Sequence, residues 1–209
     1  MDVTPGIDFA EFAKALIHSR QHVAPRRLVE PGPSKVQMQD ILSAAAAAPD
    51  HGQLLPWRFV QVPVDKRDLL AEVFGQALQD RDPHATPEQI DNARDKAFRS
   101  PFLMLAIARL VGSTPQQDAR RQEAGELAVG DAERLVSLGC AIQNLLLVAH
   151  ALGFGSGLTS GQALLSPRLR ALFQLQTFEQ AVCCINIGTV SKAKPARLRP
   201  NVAEFVTSL

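Results

Sequence analysis

The 209-residue chain carries almost no net charge: 22 Lys and Arg against 21 Asp and Glu leave +1 at neutral pH. Such a balance excludes a broad electrostatic pull toward nucleic acid or anionic lipid, so neither is expected as a partner and any phosphate recognised here belongs on a small molecule. Cysteine is scarce as well, with three residues in all. Cys140 falls in a helical pattern, while Cys183 and Cys184 adjoin in a strand-like run and must point to opposite faces, which leaves neither a disulfide framework nor a thiolate zinc site. The histidines at 18, 22, 51, 84 and 150 lack the paired spacing of a motif such as HExxH, so no metal is expected. No apolar stretch reaches transmembrane length without charges or glycines, and MDVTPGIDFAEF carries acids and a proline where a secretory signal carries basic residues. A cytoplasmic location is the expectation. A dinucleotide fingerprint after a strand, a catalytic triad and an internal repeat are missing too.

What remains is a chain 46% hydrophobic and 21% charged, enough for one packed domain over residues 1–209. IDFAEFAKALI spaces Ile7, Phe9, Phe12, Leu16 and Ile17 along one helical face. Ser34 can cap a helix through KVQMQDILSAAAAA that stops at Pro49, and "PDHGQLLP" continues as an irregular loop. WRFVQVP then reads as a short strand, on which Trp57 is a structural anchor, and DKRDLLAEVFGQALQD returns to a helical period. Thr86 and Pro87 start a helix in TPEQIDNARDKAF, and FLMLAIARLV is a strand buried on both faces. Residues 112–130 form a polar excursion over the surface, a natural place for substrate selectivity. The helix from Asp131 to Leu152 is apolar around most of its circumference, so it belongs either to the core or to a subunit interface, and Leu146 is the residue chosen to test the interface. "GFGSGLTSG" (residues 153–161) is either a cap and turn or a place where backbone approaches a ligand. SPRLRALF is helical, QAVCCINIGTV is a second buried strand, and the tail is basic and proline-broken. Strands and helices in this order give an α+β class.

The stretch "HSRQHVAPRRLVEPGPS" gathers Arg20, Arg26 and Arg27 with His18 and His22 where the first helix ends. Cations in a last turn suit the helix dipole, and the arginine fork equally suits phosphate oxygens. Both readings stand at this level.

Separated segments, taken together, resemble the flavin-dependent nitroreductases, in particular their short branch. Ser19-Arg20-Gln21-His22 followed by Pro25-Arg26-Arg27-Leu28-Val29-Glu30-Pro31-Gly32-Pro33 is similar to "SRRS" and "P-R-L-x-x-P-x-P". Ala48-Pro49-Asp50-His51 with Pro56-Trp57-Arg58-Phe59 resembles "A-P-D-H…P-W-x-F", residues 139–161 resemble "G-x-A-x-Q-N-L-L-L-A-A…G-x-G-S…G", and Gly188-Thr189-Val190 resembles a "GTP" before a basic tail. The resemblance implies a homodimeric α+β sandwich, its central sheet mixed or antiparallel and wrapped by helices, with FMN at the subunit interface. It implies that NADH or NADPH gives hydride to FMN, which passes electrons to a small-molecule acceptor such as a nitroaromatic or quinone. The alternative is a divergent member with a different flavin reaction or only a binding role. Carried onto this chain, the cofactor-binding candidates are Arg20, Gln21, His22, His51, Gln53, Leu158, Thr159, Ser160 and Arg199, with Arg20 at the phosphate. Arg26 and Arg27 are either further contacts or surface charge. No side chain is assigned to catalysis, because the flavin itself carries the hydride. Gln21 and His22 depart from the second arginine and serine of the pattern, Gln53 from its asparagine, Leu55 from its glutamine and Leu158-Thr159 from Trp-Arg.

Overall fold

A computed structural model describes residues 8–110, 129–195 and 198–209. Its strands are β1 (Leu28–Val29), β2 (Trp57–Gln61), β3 (Phe102–Arg109), β4 (Gly155–Thr159) and β5 (Glu179–Val190). They form one sheet whose ladders are all antiparallel. The twelve-residue β5 is its spine: β3 pairs along one edge, β4 and β1 share the other, and β2 lies beyond β3. Of the mixed or antiparallel sheet expected, the antiparallel form is found, with one isolated parallel bridge between His22 and Ser156. The helices are α1 (Phe9–Ser19), α2 (Lys35–Ser43), α3 (Arg67–Arg81), α4 (Pro87–Arg94), α5 (Asp131–Ala151) and α6 (Pro167–Leu172). The α+β class holds.

Side-chain alternation divides the core between the two faces of the sheet. Met104, Ala106, Cys183 and Ile185 pack against α5 and α2 on one face. Leu103, Leu105, Ile107 and Cys184 pack against α3 and α6 on the other. The two adjacent cysteines therefore do point apart, and all three cysteines are free thiols. Burial pushes the Cys183 thiol up to about 11 and that of Cys184 up to about 12. Trp57 is buried at the first position of β2, the anchor its place predicted.

Local signals set most of the helix starts. Ser34 and Thr86 each close a capping box with the glutamine three residues on, and Pro87 occupies the first turn of α4. The ends differ from expectation in a consistent way. α2 stops at Ser43 and α4 at Arg94, and each continues as a tighter 3-10 turn, through Ala47 and Phe98 respectively. The stretch over residues 111–128, which holds most of the predicted surface excursion, lies outside the described residues.

The glycine run begins with the expected cap, Gly153 ending α5 in left-handed backbone at φ 87°, but continues as more than a turn. Residues 155–159 form β4, paired to β5 with Gly155 opposite Gly188. The glycines are needed because the segment after α1 crosses this strand, where Val23 N–H donates to the Ser156 carbonyl at 2.8 Å. A Cβ on Gly157 would strike the Val23 carbonyl oxygen, and one on Gly155 would strike Val190 and Leu28. Close backbone approach, in this case to another chain segment, is the function these glycines serve.

Two apolar faces have no cover among the described residues. α5 buries Leu138, Ala141, Ile142, Leu145, Leu146 and Ala149 against the sheet, but Val136 on its far side is 66% exposed. Leu146, expected at an interface, thus belongs to the core; the uncovered face of this helix is that of Leu135 and Val136. The helix is long and apolar enough to cross a membrane by length and composition, yet its buried face packs on the sheet. α1 buries no residue at all, and Phe9 and Phe12 stand 58% and 55% exposed.

Candidate functional site

The first helix ends against the last turn of α5, where Ser19 Oγ and His150 Nε2 lie 2.7 Å apart. Arg20 caps α1 in an extended conformation and the chain runs on across β4. This crossing sorts the basic stretch into two cavities.

The smaller, of about 300 Å³, is lined by Ser19, Arg20, Arg27, His150, Ser156 and Lys194, among others. Arg199 from the tail donates through Nη2 to the Arg20 carbonyl at 2.7 Å. Burial, and then the nearby charge of Arg199, lower the pKa of Arg20. Neither arginine forms an ion pair with a carboxylate among the described residues. Ser156 Oγ is buried without a hydrogen-bond partner among them, as is Arg27 Nε, although Arg27 Nη1 donates to the Lys192 carbonyl at 3.0 Å. Gathered cations and an orphaned hydroxyl, with no described acid to answer them, are the features of an anion site.

The larger cavity, of about 800 Å³, opens on the other face of the sheet. Its walls include Arg26, Arg81, Lys96 and Arg99, the apolar Phe74 and Leu103, and the turn from Thr159 to Leu164. Thr159 Oγ1 accepts from Asn186 Nδ2 at 3.2 Å, so the buried Asn186 fixes the end of β4. Beyond it, the amides of Ser160 and Gly161 donate to no backbone group among the described residues. The volume is that of a cofactor or substrate pocket.

His51 and Gln53 stand elsewhere. Their loop adjoins the start of α5, where His51 Nδ1 lies 3.7 Å from Glu133 Oε1. Glu133 and His150 belong to opposite ends of α5, and at 1.5 Å per residue about 26 Å of helix divides this loop from the Arg20 cluster. Gln53 and Leu55 hold left-handed backbone, φ 50° and 46°, which non-glycine residues seldom adopt. Asp50 imposes that shape: its carboxylate accepts from the amides of Leu54 at 3.1 Å and Leu55 at 2.8 Å. Strain maintained in this way is common where a loop serves a site.

The sequence-derived candidates therefore fall into three groups within one protomer. Arg20 and Gln21 line the smaller cavity, with Arg199 bound to Arg20 and His22 bridged to Ser156 beside it. Thr159 and Ser160 line the larger one, while Leu158 turns to the opposite face and packs into the core beside α5. His51 and Gln53 join neither. Arg26 and Arg27, ambiguous in sequence, each line a cavity. Sequence reasoning misses Ser156, Asp50, Arg81, Lys96 and Arg99. Lys96 and Arg99 sit three apart in ARDKAFRS, but nothing local shows that they converge with Arg26.

Comparison with known proteins places the chain in a family. Residues 21–189 match the Nitroreductase family. "Putative NAD(P)H nitroreductase YdjA" of Escherichia coli (strain K12) is 30% identical over 182 residues, covering 87% of this chain and 91% of that protein. Among solved structures, a nitroreductase-like family protein from Bacillus cereus superposes with a TM-score of 0.73 at 19% identity, over 100% of this chain and 99% of the other. The FMN-dependent nitroreductase NfnB from Mycobacterium smegmatis, solved with NADPH, gives 0.69 at 16% identity over 96% and 99%. With the matching fold and a family match across most of its length, this chain belongs to the nitroreductase family.

Proposed function

We propose that the protein is an FMN-dependent oxidoreductase that takes hydride from NADH or NADPH and passes the electrons to a small-molecule acceptor, a nitroaromatic, quinone or similar compound. One observation carries the reading: Arg20 and Arg199 are held together beside an orphaned Ser156 hydroxyl, with no carboxylate among the described residues paired to either. A terminal phosphate answers that deficit, and the absence of a dinucleotide fingerprint favours FMN over FAD. β4 leads from this cavity, which Gly155 and Ser156 line, to the larger one, which Thr159 lines. The Ser160 and Gly161 amides there suit the polar edge of a flavin ring. When bound, FMN supplies hydride acceptance and electron transfer; the protein orients the reactants and keeps water away.

The working unit on this reading is a homodimer. The outer faces of α1 and α5 are apolar and uncovered by any described residue, as is Phe205 of the tail, at 65% exposure. A twofold axis that sets two α5 helices antiparallel brings the strained Gln53 loop of one protomer to the Arg20 end of its partner, across the roughly 26 Å that separates them within a chain. A site shared in this way gives His51, Gln53 and Leu55 a role that one protomer does not.

The experiment is reconstitution with excess FMN, removal of free flavin, and light scattering with absorbance. The expected result is a dimer carrying about one FMN per chain. A stable monomer, or a protein that retains no FMN, refutes the shared site. FMN that is retained but reduced by neither nicotinamide supports the alternative of a different flavin reaction.

A further inference from the structure

The larger cavity joins an apolar floor to a positive rim with no described carboxylate in its lining. Arg81 comes from the end of α3, Lys96 and Arg99 from the turn after α4, and Arg26 from the turn beyond the β4 crossing; no Asp or Glu among the described residues lines the space. The side chains of Arg26, Arg81 and Lys96 make no hydrogen bond or ion pair among the described residues. Arg99 donates through Nη2 to the Asn92 carbonyl at 3.2 Å, yet its Nε is buried with no partner among them. Burial first, then Arg99 and Arg81, lower the pKa of Lys96; burial first, then Arg26, lower that of Arg99, with Asp95 alone opposing. The four cations feel one another across a common space. Phe74, Leu103 and Leu164 supply an apolar floor beneath them.

We infer that this cavity seats the carboxylate or sulfonate of an aromatic reactant, so that the electron acceptor is an anionic arene. The acceptor role rests on the oxidoreductase reading above; the anion site does not. The phosphate of the cofactor is already met by Arg20 and Arg199, which leaves this second cluster for another ligand. An aromatic ring suits the apolar floor, while a negative substituent relieves repulsion among the cations and occupies the free donor of Arg99. A neutral arene of the same shape gains only the first of these.

The test compares 4-nitrobenzoate with its neutral analogue 4-nitrobenzamide by calorimetric titration of the FMN-reconstituted protein, flavin content being read first from visible absorbance. The carboxylate is expected to bind about tenfold tighter or better. In the Lys96→Gln, Arg81→Gln double variant that advantage should vanish, with amide affinity, flavin content and circular dichroism unchanged. Both substituted residues are exposed, so the fold is not at stake. Equal binding of the two compounds by the unaltered protein overturns the inference, as does an advantage that survives in the double variant. Loss of FMN from that variant assigns the cluster to the cofactor and overturns it too. A protein that takes up no FMN refutes the oxidoreductase reading instead, and the same titration still decides the anion site.

Discussion

Replacing Arg20 by Ala separates a cofactor role from a structural one, because the two predict opposite results on two observables. The side chain is partly buried beside Arg199, and after burial itself that neighbouring charge lowers its pKa, so in the ligand-free protein the pair repels. Its removal relieves the repulsion. The contact that holds Arg199 survives, since Arg199 donates to the Arg20 backbone carbonyl and not to its side chain. Stability of the apoprotein should therefore stay within about 0.5 kcal/mol of the original. FMN affinity should fall, because a charge-assisted contact to phosphate is worth about 1.5–3 kcal/mol, or about tenfold to a hundredfold in Kd. Arg20→Lys should restore part of this, keeping the charge but losing the fork. Arg27 and Arg26 line the cavities themselves, so the control is Arg168→Ala, whose guanidinium pairs with Asp80 outside both. Quenching of FMN fluorescence by apoprotein, with thermal denaturation alongside, provides both readings. An affinity unchanged by Arg20→Ala, or a loss matched by a comparable loss of apoprotein stability, refutes the reasoning.

Val136→Glu should give a folded monomer, since this side chain projects from the uncovered face of α5, whereas Leu146→Glu places a charge in the core and should abolish folding; light scattering and circular dichroism distinguish the two. Glu179 is buried and accepts from Arg58 Nε and Nη2, both at 2.7 Å, and these bonds above all hold its carboxyl below the ordinary value of 4.5. A depressed folded pKa contributes stability above the unfolded value and loses it as pH falls through the folded one, so stability should decline on acidification below about 4.5. Glu179→Gln should cost about 1.5–3 kcal/mol near neutrality and flatten that acid limb, as seen by urea denaturation at several pH values. Cys183 and Cys184, with thiol pKa values raised to about 11 and about 12 by burial, should resist a thiol reagent such as Ellman's until the protein is unfolded. Rapid labelling of either in the native state contradicts their place in the two cores.

Periodicity and capping make most of the fold legible in the sequence. The buried strands β3 and β5, the opposed cysteines and the capped starts of α2 and α4 are set by side-chain alternation and local hydrogen bonding, which act over a few residues. Helix ends are less legible, because the tightening of Ala44–Ala47 and Asp95–Phe98 into 3-10 turns depends on how the chain must leave each helix to rejoin the sheet. β4 is hidden since four glycines in nine residues argue for a turn; only the crossing by Val23 explains them, and that contact is 134 residues distant in sequence from Gly157. Arg20 and Arg199 are candidates only through family resemblance. Their pairing, the orphaned Ser156 hydroxyl and the convergence of Arg26, Arg81, Lys96 and Arg99 are products of tertiary folding, to which no short stretch gives a signal.

The central claim, that this chain moves electrons from a nicotinamide through FMN, is tested most directly by adding NADPH, and separately NADH, to the FMN-reconstituted protein in an anaerobic cuvette while following flavin absorbance. The account predicts that at least one of them bleaches the flavin band, and that a quinone or nitroaromatic added afterwards restores it. A flavin that stays fully oxidised with either nicotinamide contradicts the account.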